Sequence, residues 1–283
     1  MRASNLMLEE TVMATRYNEI GKDICDALLL RFEPIAIKVL YDRSQTPPEC
    51  VSPSQNGEKI PALCQAYAMV RRNRRSLAIF REDHWCIWPI VSLKLGKMDE
   101  QMYENLGDKF FMKDPEISKK HFREKFPRLR SERPIEGLAL APLATCSFEP
   151  DVVVIYCDPA QARQLLMGAQ FATGEPVHAD FDIVGSCMQA IIPILNGDKP
   201  YNLAMPDDGE YERSLVLENE MLFAVGREKL EEMYTSMKTI QSFGFGHKTL
   251  AMDMNLEYPR PEFYNNAMKA WGLKTGPLCG KGR

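Results

Sequence analysis

The chain has 283 residues, 45% hydrophobic and 26% charged, with a formal net charge of −4, enough to bury a substantial core and too acidic for a dedicated nucleic-acid binder. No apolar run approaches the roughly 18 to 20 residues that a membrane-spanning helix needs, and residues 1–16 lack the basic-then-apolar order of an export signal. Eight cysteines without dense pairing fit a reducing interior better than a secreted disulfide framework, so a cytoplasmic protein that engages neither nucleic acid nor membrane is expected.

In chain order, Tyr17 to Arg31 predicts an amphipathic helix with Ile20, Ile24 and Leu28 on one stripe. Pro34 stops it, and Ile35 to Tyr41, rich in branched residues, predicts a strand. Thr46 to Pro61 carries four prolines among serine, asparagine and glycine and reads as a surface loop. Ala62 to Asn73 predicts a helix with Cys64 in its first turn. Ser76 to Phe80 predicts a short strand and Arg81 to Trp85 its turn. Ile87 to Leu95 reads as helix or extended chain, with Pro89 limiting either.

The middle, residues 97–133, is dominated by charge. Asp114-Pro115 is a good helix start. The helix it opens, up to Phe126, is basic on one side and carries Phe122 and Phe126 on another, as a solvated outer helix or a helical excursion would. Gly137 to Leu143 and Val152 to Cys157 are short apolar runs that predict buried strands, separated by a turn at Ser147 to Asp151. Asp158-Pro159 caps a helix from Ala160 to about Ala172. Ser186 is expected to cap another from Cys187 to Leu195, which Pro193 would kink or shorten. Leu203 to Met205 and Met221 to Val225 predict strands, and Glu228 to Gln241 a final amphipathic helix. From Gly244 onward the chain is expected to wrap the surface.

These elements predict a single domain of α/β or α+β class, a mixed sheet with flanking helices. A faint internal echo adds the option of two pseudo-duplicated halves. Cys64-Gln65-Ala66-Tyr67-Ala68 and Cys187-Met188-Gln189-Ala190-Ile191 each open a helix with cysteine and then turn apolar. So few matching residues also arise by chance.

Three cysteines sit where a thiolate would be useful. Cys64 and Cys187 lie at predicted helix starts, which favour negative charge, and Cys86 is framed by His84, Trp85 and Trp88. Their spacing, with 21 residues between the first two and 100 between the second and third, matches no metal signature. Arg71, Arg72, Arg74 and Arg75 complement a helix C-terminus, with phosphate or an acidic redox partner as the alternative. Asp207, Asp208, Glu210 and Glu212 read as an exposed turn. Gly244-Phe245-Gly246-His247 lacks the setting of a dinucleotide loop and reads as turn chemistry.

The combination of Pro34-Ile-Ala-Ile-Lys-Val39, Cys64-Gln-Ala66, Pro150-Asp-Val-Val-Val-Ile155 with Asp158-Pro-Ala-Gln161, and Gly185-Ser-Cys187 resembles the domain of unknown function family 169, over roughly residues 33–240. The resemblance implies a microbial cytoplasmic protein without a settled activity, whose family cysteines match Cys64, Cys86 and Cys187. It transfers no reaction. The block from Met98 to Arg133 and the four arginines are features of this branch.

The leading expectation is that Cys64, Cys86 and Cys187 converge on an iron–sulfur cluster that does or supports redox or small-molecule chemistry, because soft thiolates select such centres. Any enzyme activity would then be that of a metal- or iron–sulfur-dependent oxidoreductase or lyase. Cys25 and Cys50 are the candidate fourth ligands, Cys279 a weaker one, and Cys146 and Cys157 are expected in the core. Zinc is a less favoured substitute, since it usually takes close cysteine pairs. His84 with Cys86 would be only a loose pair. The competing expectations are three inert buried thiols, or a non-catalytic protein binding an anionic small molecule near Asp158 and Gly185-Ser186. The expected partners are a small-molecule ligand or redox protein, with a homo-oligomer open.

Overall fold

A computed structural model describes residues 16–106, 112–245 and 259–278. Six strands form one sheet: β1 (Ile35–Leu40), β2 (Leu77–Phe80), β3 (Gly137–Pro142), β4 (Val152–Cys157), β5 (Tyr201–Ala204) and β6 (Met221–Gly226), in the order β2-β3-β1-β4-β6-β5. Every neighbouring pair is antiparallel, so the chain is α+β. Its strands nevertheless read as unbroken apolar runs, as in Val152–Cys157, because helices cover both faces of the sheet. Along β1, Ala36 and Leu40 enter one core while Ile35, Ile37 and Val39 enter the other.

The first core lies under α1 (residues 16–28), α6 (Pro159–Phe171) and α9 (Arg227–Ile240). Ile20, Ile24 and Leu28 are fully buried there, as their four-residue spacing predicts. The second core lies under α2 (Leu63–Asn73) and α7 (Ser186–Leu195). Between them in the chain come α3 (Ile87–Ser92), α4 (Glu100–Leu106) and α5 (Pro115–Glu124), and α8 (Asp208–Arg213) precedes β6. The basic side of α5 is solvated as expected, but Phe122 and Phe126 pack on Trp88 with ring centroids 5.0 and 5.4 Å away. With Val91, Leu106 and Val184 they make a third, smaller core.

The sheet order reveals an internal two-fold. From the centre outward, β1-β3-β2 mirrors β4-β6-β5, and α2 and α7 each lie directly before the outer strand of their half, β2 or β5. The central register obeys the same symmetry: Ile35 pairs Val154, Ile37 pairs Val152, and Ala36 opposite Val153 straddles the axis. Cys64 and Cys187 are each the second residue of their helix. The weak sequence echo is therefore matched by topology.

Several local expectations need correction. The N-cap of α7 is Gly185, not Ser186. Pro193 does not shorten this helix, which runs to Leu195. The carbonyl that loses its intrahelical donor to the proline belongs to Gln189, and the buried Asn202 side chain donates to it at 2.7 Å. Pro89 is tolerated in α3 because it lies in the first turn, where N–H groups have no helical partner. Arg71 is no surface cation. It is buried, pairs both Glu220 oxygens at 3.0 and 3.2 Å, and lies 3.9 Å from the Tyr156 ring centroid. Arg72 stacks on Phe32, Arg74 pairs with Glu33 and Arg75 with Glu58.

Met1–His247 and Lys248–Arg283 form two compact units. In the second, α10 (Glu262–Ala270) follows α9, which is thus not the last helix. The Asn265 side chain closes this unit locally by bonding both backbone groups of Gly276. Gly246, His247 and Cys279 lie outside the described residues.

Candidate metal centre at three helix starts

The three cysteines singled out from the sequence each stand at a helix start. Cys64 and Cys187 are in the first turns of α2 and α7, and Cys86 is the N-cap of α3. Gln65 ties two of these starts together, its Oε1 accepting from the Ala62 N–H at 2.9 Å and from Trp85 Nε1 at 3.2 Å. Trp85 in turn lies beside the Arg213 guanidinium. Trp88, anchored on Phe122 and Phe126, fixes the beginning of α3. Gly185 has φ +69°, and a Cβ there would stand 2.9 Å from the Phe126 ring, so the turn before Cys187 demands glycine twice over.

Asp207 welds the α7 start to α8. Its Oδ2 accepts from the Gly185 and Ser186 N–H groups at 2.7 and 3.2 Å, and its Oδ1 accepts from the Glu210 N–H at 3.0 Å. The Asp207 N–H donates to Ser186 Oγ. The backbone donors that an anionic ligand would use at the Gly185-Ser186 turn are thus satisfied by the protein's own carboxylate. At the other proposed anion position, Asp158 and Gln161 cap α6 reciprocally.

Cys64 feels Cys86 electrostatically, and Cys187 feels both of the others. Burial, the largest influence, pushes the Cys64 thiol up to about 12 and the Cys187 thiol well above its usual range. Cys86, half-buried, is raised less steeply, again by burial, with the Trp88 backbone N–H and Arg213 opposing. Without a metal these are neutral thiols, poor nucleophiles in themselves.

Two further buried groups interact with these cysteines. Glu210, expected in an exposed turn, is buried, and Asp207 and α8 carry it inward. Its Oε2 accepts from the Tyr156 hydroxyl at 3.1 Å while its Oε1 makes no hydrogen bond. Burial and the Asp207 charge raise its carboxyl to about 7, and Cys64 and Cys187 both feel it. The Tyr67 hydroxyl, on α2, is fully buried without a partner and interacts with Cys187, Glu210 and Cys64. The Asp207-x-x-Glu210 spacing reads as a capping box, which would turn Glu210 back to the Asp207 N–H. Ser186 takes that N–H instead, which is why local sequence misplaces the glutamate.

The remaining sulfur candidates stay apart from the trio. Cys25 contacts Glu33, and Cys50 lies in the core on the other sheet face with Cys146 and Cys157. His84 is buried, with neither ring nitrogen partnered, and burial lowers it to about 4. Its charged neighbours are Asp83 and Glu82 rather than the cysteines. A surface cavity of about 670 Å³ lies between the end of α7 and the start of α9, and no cysteine lines it.

Among the described residues no three His, Cys, Asp or Glu side chains are arranged to hold a metal ion. Among the described residues no helix is long and apolar enough to cross a membrane.

A model of the family described as DUF169, uncharacterised ArCR, matches residues 23–236. No curated protein and no solved structure matches the chain.

Proposed function

This chain belongs to the DUF169 family, and we propose that it holds an iron–sulfur cluster on Cys64, Cys86 and Cys187 and carries out or supports redox or small-molecule chemistry there. The observation that carries this reading is the convergence of three cysteines, remote in sequence, from three helix starts into mutual electrostatic reach. Helix N-termini offset the charge of thiolates and of an anionic cluster. A metal deprotonates a coordinating thiol outright, so the raised pKa values of the free thiols are no obstacle. The buried Tyr67 hydroxyl, which has no hydrogen-bond partner, would be available to donate to such a cluster. When bound, the cluster would supply electron transfer or a Lewis-acidic iron, making any enzyme an oxidoreductase or lyase. None of the seven described cysteines is in a disulfide, which accords with a reducing compartment such as the cytoplasm.

Supporting the cluster over an anionic small-molecule ligand is the Asp207 carboxylate, which already occupies the donors that ligand would need. Against zinc stands the absence from the sequence of the close cysteine pairs that zinc usually takes. The experiment is anaerobic purification with iron and sulfide determination and visible absorption spectroscopy. The expected result is a brown protein with about four iron and about four sulfide per chain, lost in Cys64→Ser/Cys187→Ser and kept in Cys50→Ser. A colourless, metal-free, fully folded wild type that cannot be reconstituted with iron and sulfide ends the proposal.

A further inference from the structure

A cavity of about 320 Å³ between α2 and the end of α8 carries positive charge that nothing in the protein balances. Lys59, Arg72 and Arg213 line it with Gln65, and Ile60, Met69 and Leu215 supply apolar wall. No acidic side chain lines it. Among the described residues none of the three cations is in an ion pair. In the larger cavity between α7 and α9, by contrast, Arg130, Lys199, Arg227 and Lys229 are each paired with a carboxylate.

Both arginines are held in place by aromatic rings. Arg72 lies 4.2 Å from the Phe32 ring centroid and donates to the Leu215 carbonyl at 3.2 Å. Arg213 lies 5.3 Å from the Trp85 ring centroid, and Gln65 fixes Trp85 in turn. The Arg213 guanidinium rests against Gly209, where a Cβ would stand 1.8 Å from Nη2, and its Nε is buried without a partner. Asp207, beside it, is committed to the Gly185, Ser186 and Glu210 N–H groups. Leu215 is 63% exposed with φ +55°, a backbone strain of the kind that gathers at ligand-binding segments. Fixed cations, apolar wall and no acid are complementary to an organic anion. Three positive charges exceed what one carboxylate needs and suit the roughly −1.5 to −2 of a phosphate ester, whose oxygens match the planar fork of arginine. We propose that this cavity binds a small organic phosphate ester, its phosphate on Arg213, Arg72 and Lys59 and its organic part against Ile60, Met69 and Leu215. Binding makes and breaks no covalent bond, and the site stands independently of the cluster. Arg213 also acts electrostatically on Cys64 and Cys86, which links the cavity to the cysteine site.

The test is isothermal titration calorimetry of the purified protein with phenyl phosphate, inorganic phosphate and benzoate. It compares wild type with Arg213→Gln, Arg72→Gln, Leu215→Glu and, in the other cavity, Arg130→Gln. Wild type and R130Q should bind phenyl phosphate alike. R213Q and R72Q should each bind it about tenfold more weakly or worse, because each loses charge-assisted hydrogen bonds. L215E keeps both arginines and changes an exposed position, so it should fold and should weaken binding by setting a carboxylate among the cations. Circular dichroism reports the fold of each variant. Equal affinity for inorganic phosphate overturns the ester, and equal affinity for benzoate overturns the phosphate in favour of a carboxylate. A folded wild type that does not bind phenyl phosphate, or unchanged affinity in R213Q, R72Q and L215E, overturns the site. Neither result bears on the cluster, which iron and sulfide determination decides.

Discussion

Replacing Glu210 by glutamine exposes the electrostatic cost of that carboxylate in the metal-free protein. Burial first, then the Asp207 charge, raise the Glu210 carboxyl from 4.5 to about 7, against the pull of the Tyr156 and Ser186 hydroxyls and Arg71. A folded-state pKa above the unfolded one means that the folded chain binds the proton more tightly. The stabilisation is therefore complete below about 4.5 and is lost as pH rises through about 7. At about 1.4 kcal/mol per pKa unit, the gap amounts to about 3 kcal/mol. E210Q carries no charge at any of these pH values and can still bond Tyr156. It should match wild type near pH 4 and exceed it by about 3 kcal/mol at pH 8, or about 6 to 12 °C in Tm for a domain of this size. Urea unfolding followed by circular dichroism, with both proteins at several pH values between these limits, isolates the difference from all titrations they share. A gap that does not widen with pH, or a variant less stable at pH 8, refutes the reasoning.

Other perturbations follow from the geometry. Arg71→Met strands the buried Glu220 carboxylate and should cost about 3 to 5 kcal/mol, most of it recovered in Arg71→Met/Glu220→Met. Denaturant midpoints decide, and an additive double variant would contradict the pairing. Gly185→Ala should cost about 1 to 2 kcal/mol for its positive φ and about 1 to 3 more for the collision with Phe126. Gly57→Ala, with the same φ but open space around it, should lose only the first part, so equal losses would exclude the collision. Asn202→Ala removes the donor to the Gln189 carbonyl and should destabilise by about 1 to 3 kcal/mol. Pro193→Ala in the same background should recover part of that, and no recovery in thermal melts would count against the compensation.

Most elements were legible because their signals are local. The four-residue stripe of α1, the Asp158-Pro159 start of α6 and the apolar runs of β3 and β4 each carry their own reason to form. The antiparallel order of the sheet was not legible, since unbroken apolar strands are also the mark of parallel sheets, and only the two layers of helices explain them here. The basic run beginning at Arg71 misled for a similar reason. A cation at a helix end looks solvated until its partner, Glu220, arrives from 149 positions away. Glu210 was hidden by a capping-box spacing that Ser186 overrides.

What the residues pointed to by themselves is a kind of chemistry: Cys64 and Cys187 at predicted helix starts, where backbone N–H groups favour a sulfur anion, and Cys86 framed by His84, Trp85 and Trp88. That information is local, because helix capping and propensity act over a few residues. What only the tertiary structure decided is which groups share one site. Cys187 feels Cys64, Cys86 and Glu210, and Tyr67 feels Cys187, Glu210 and Cys64, although these residues are remote in sequence, and burial, which sets their charge states, is a property of the assembled layers.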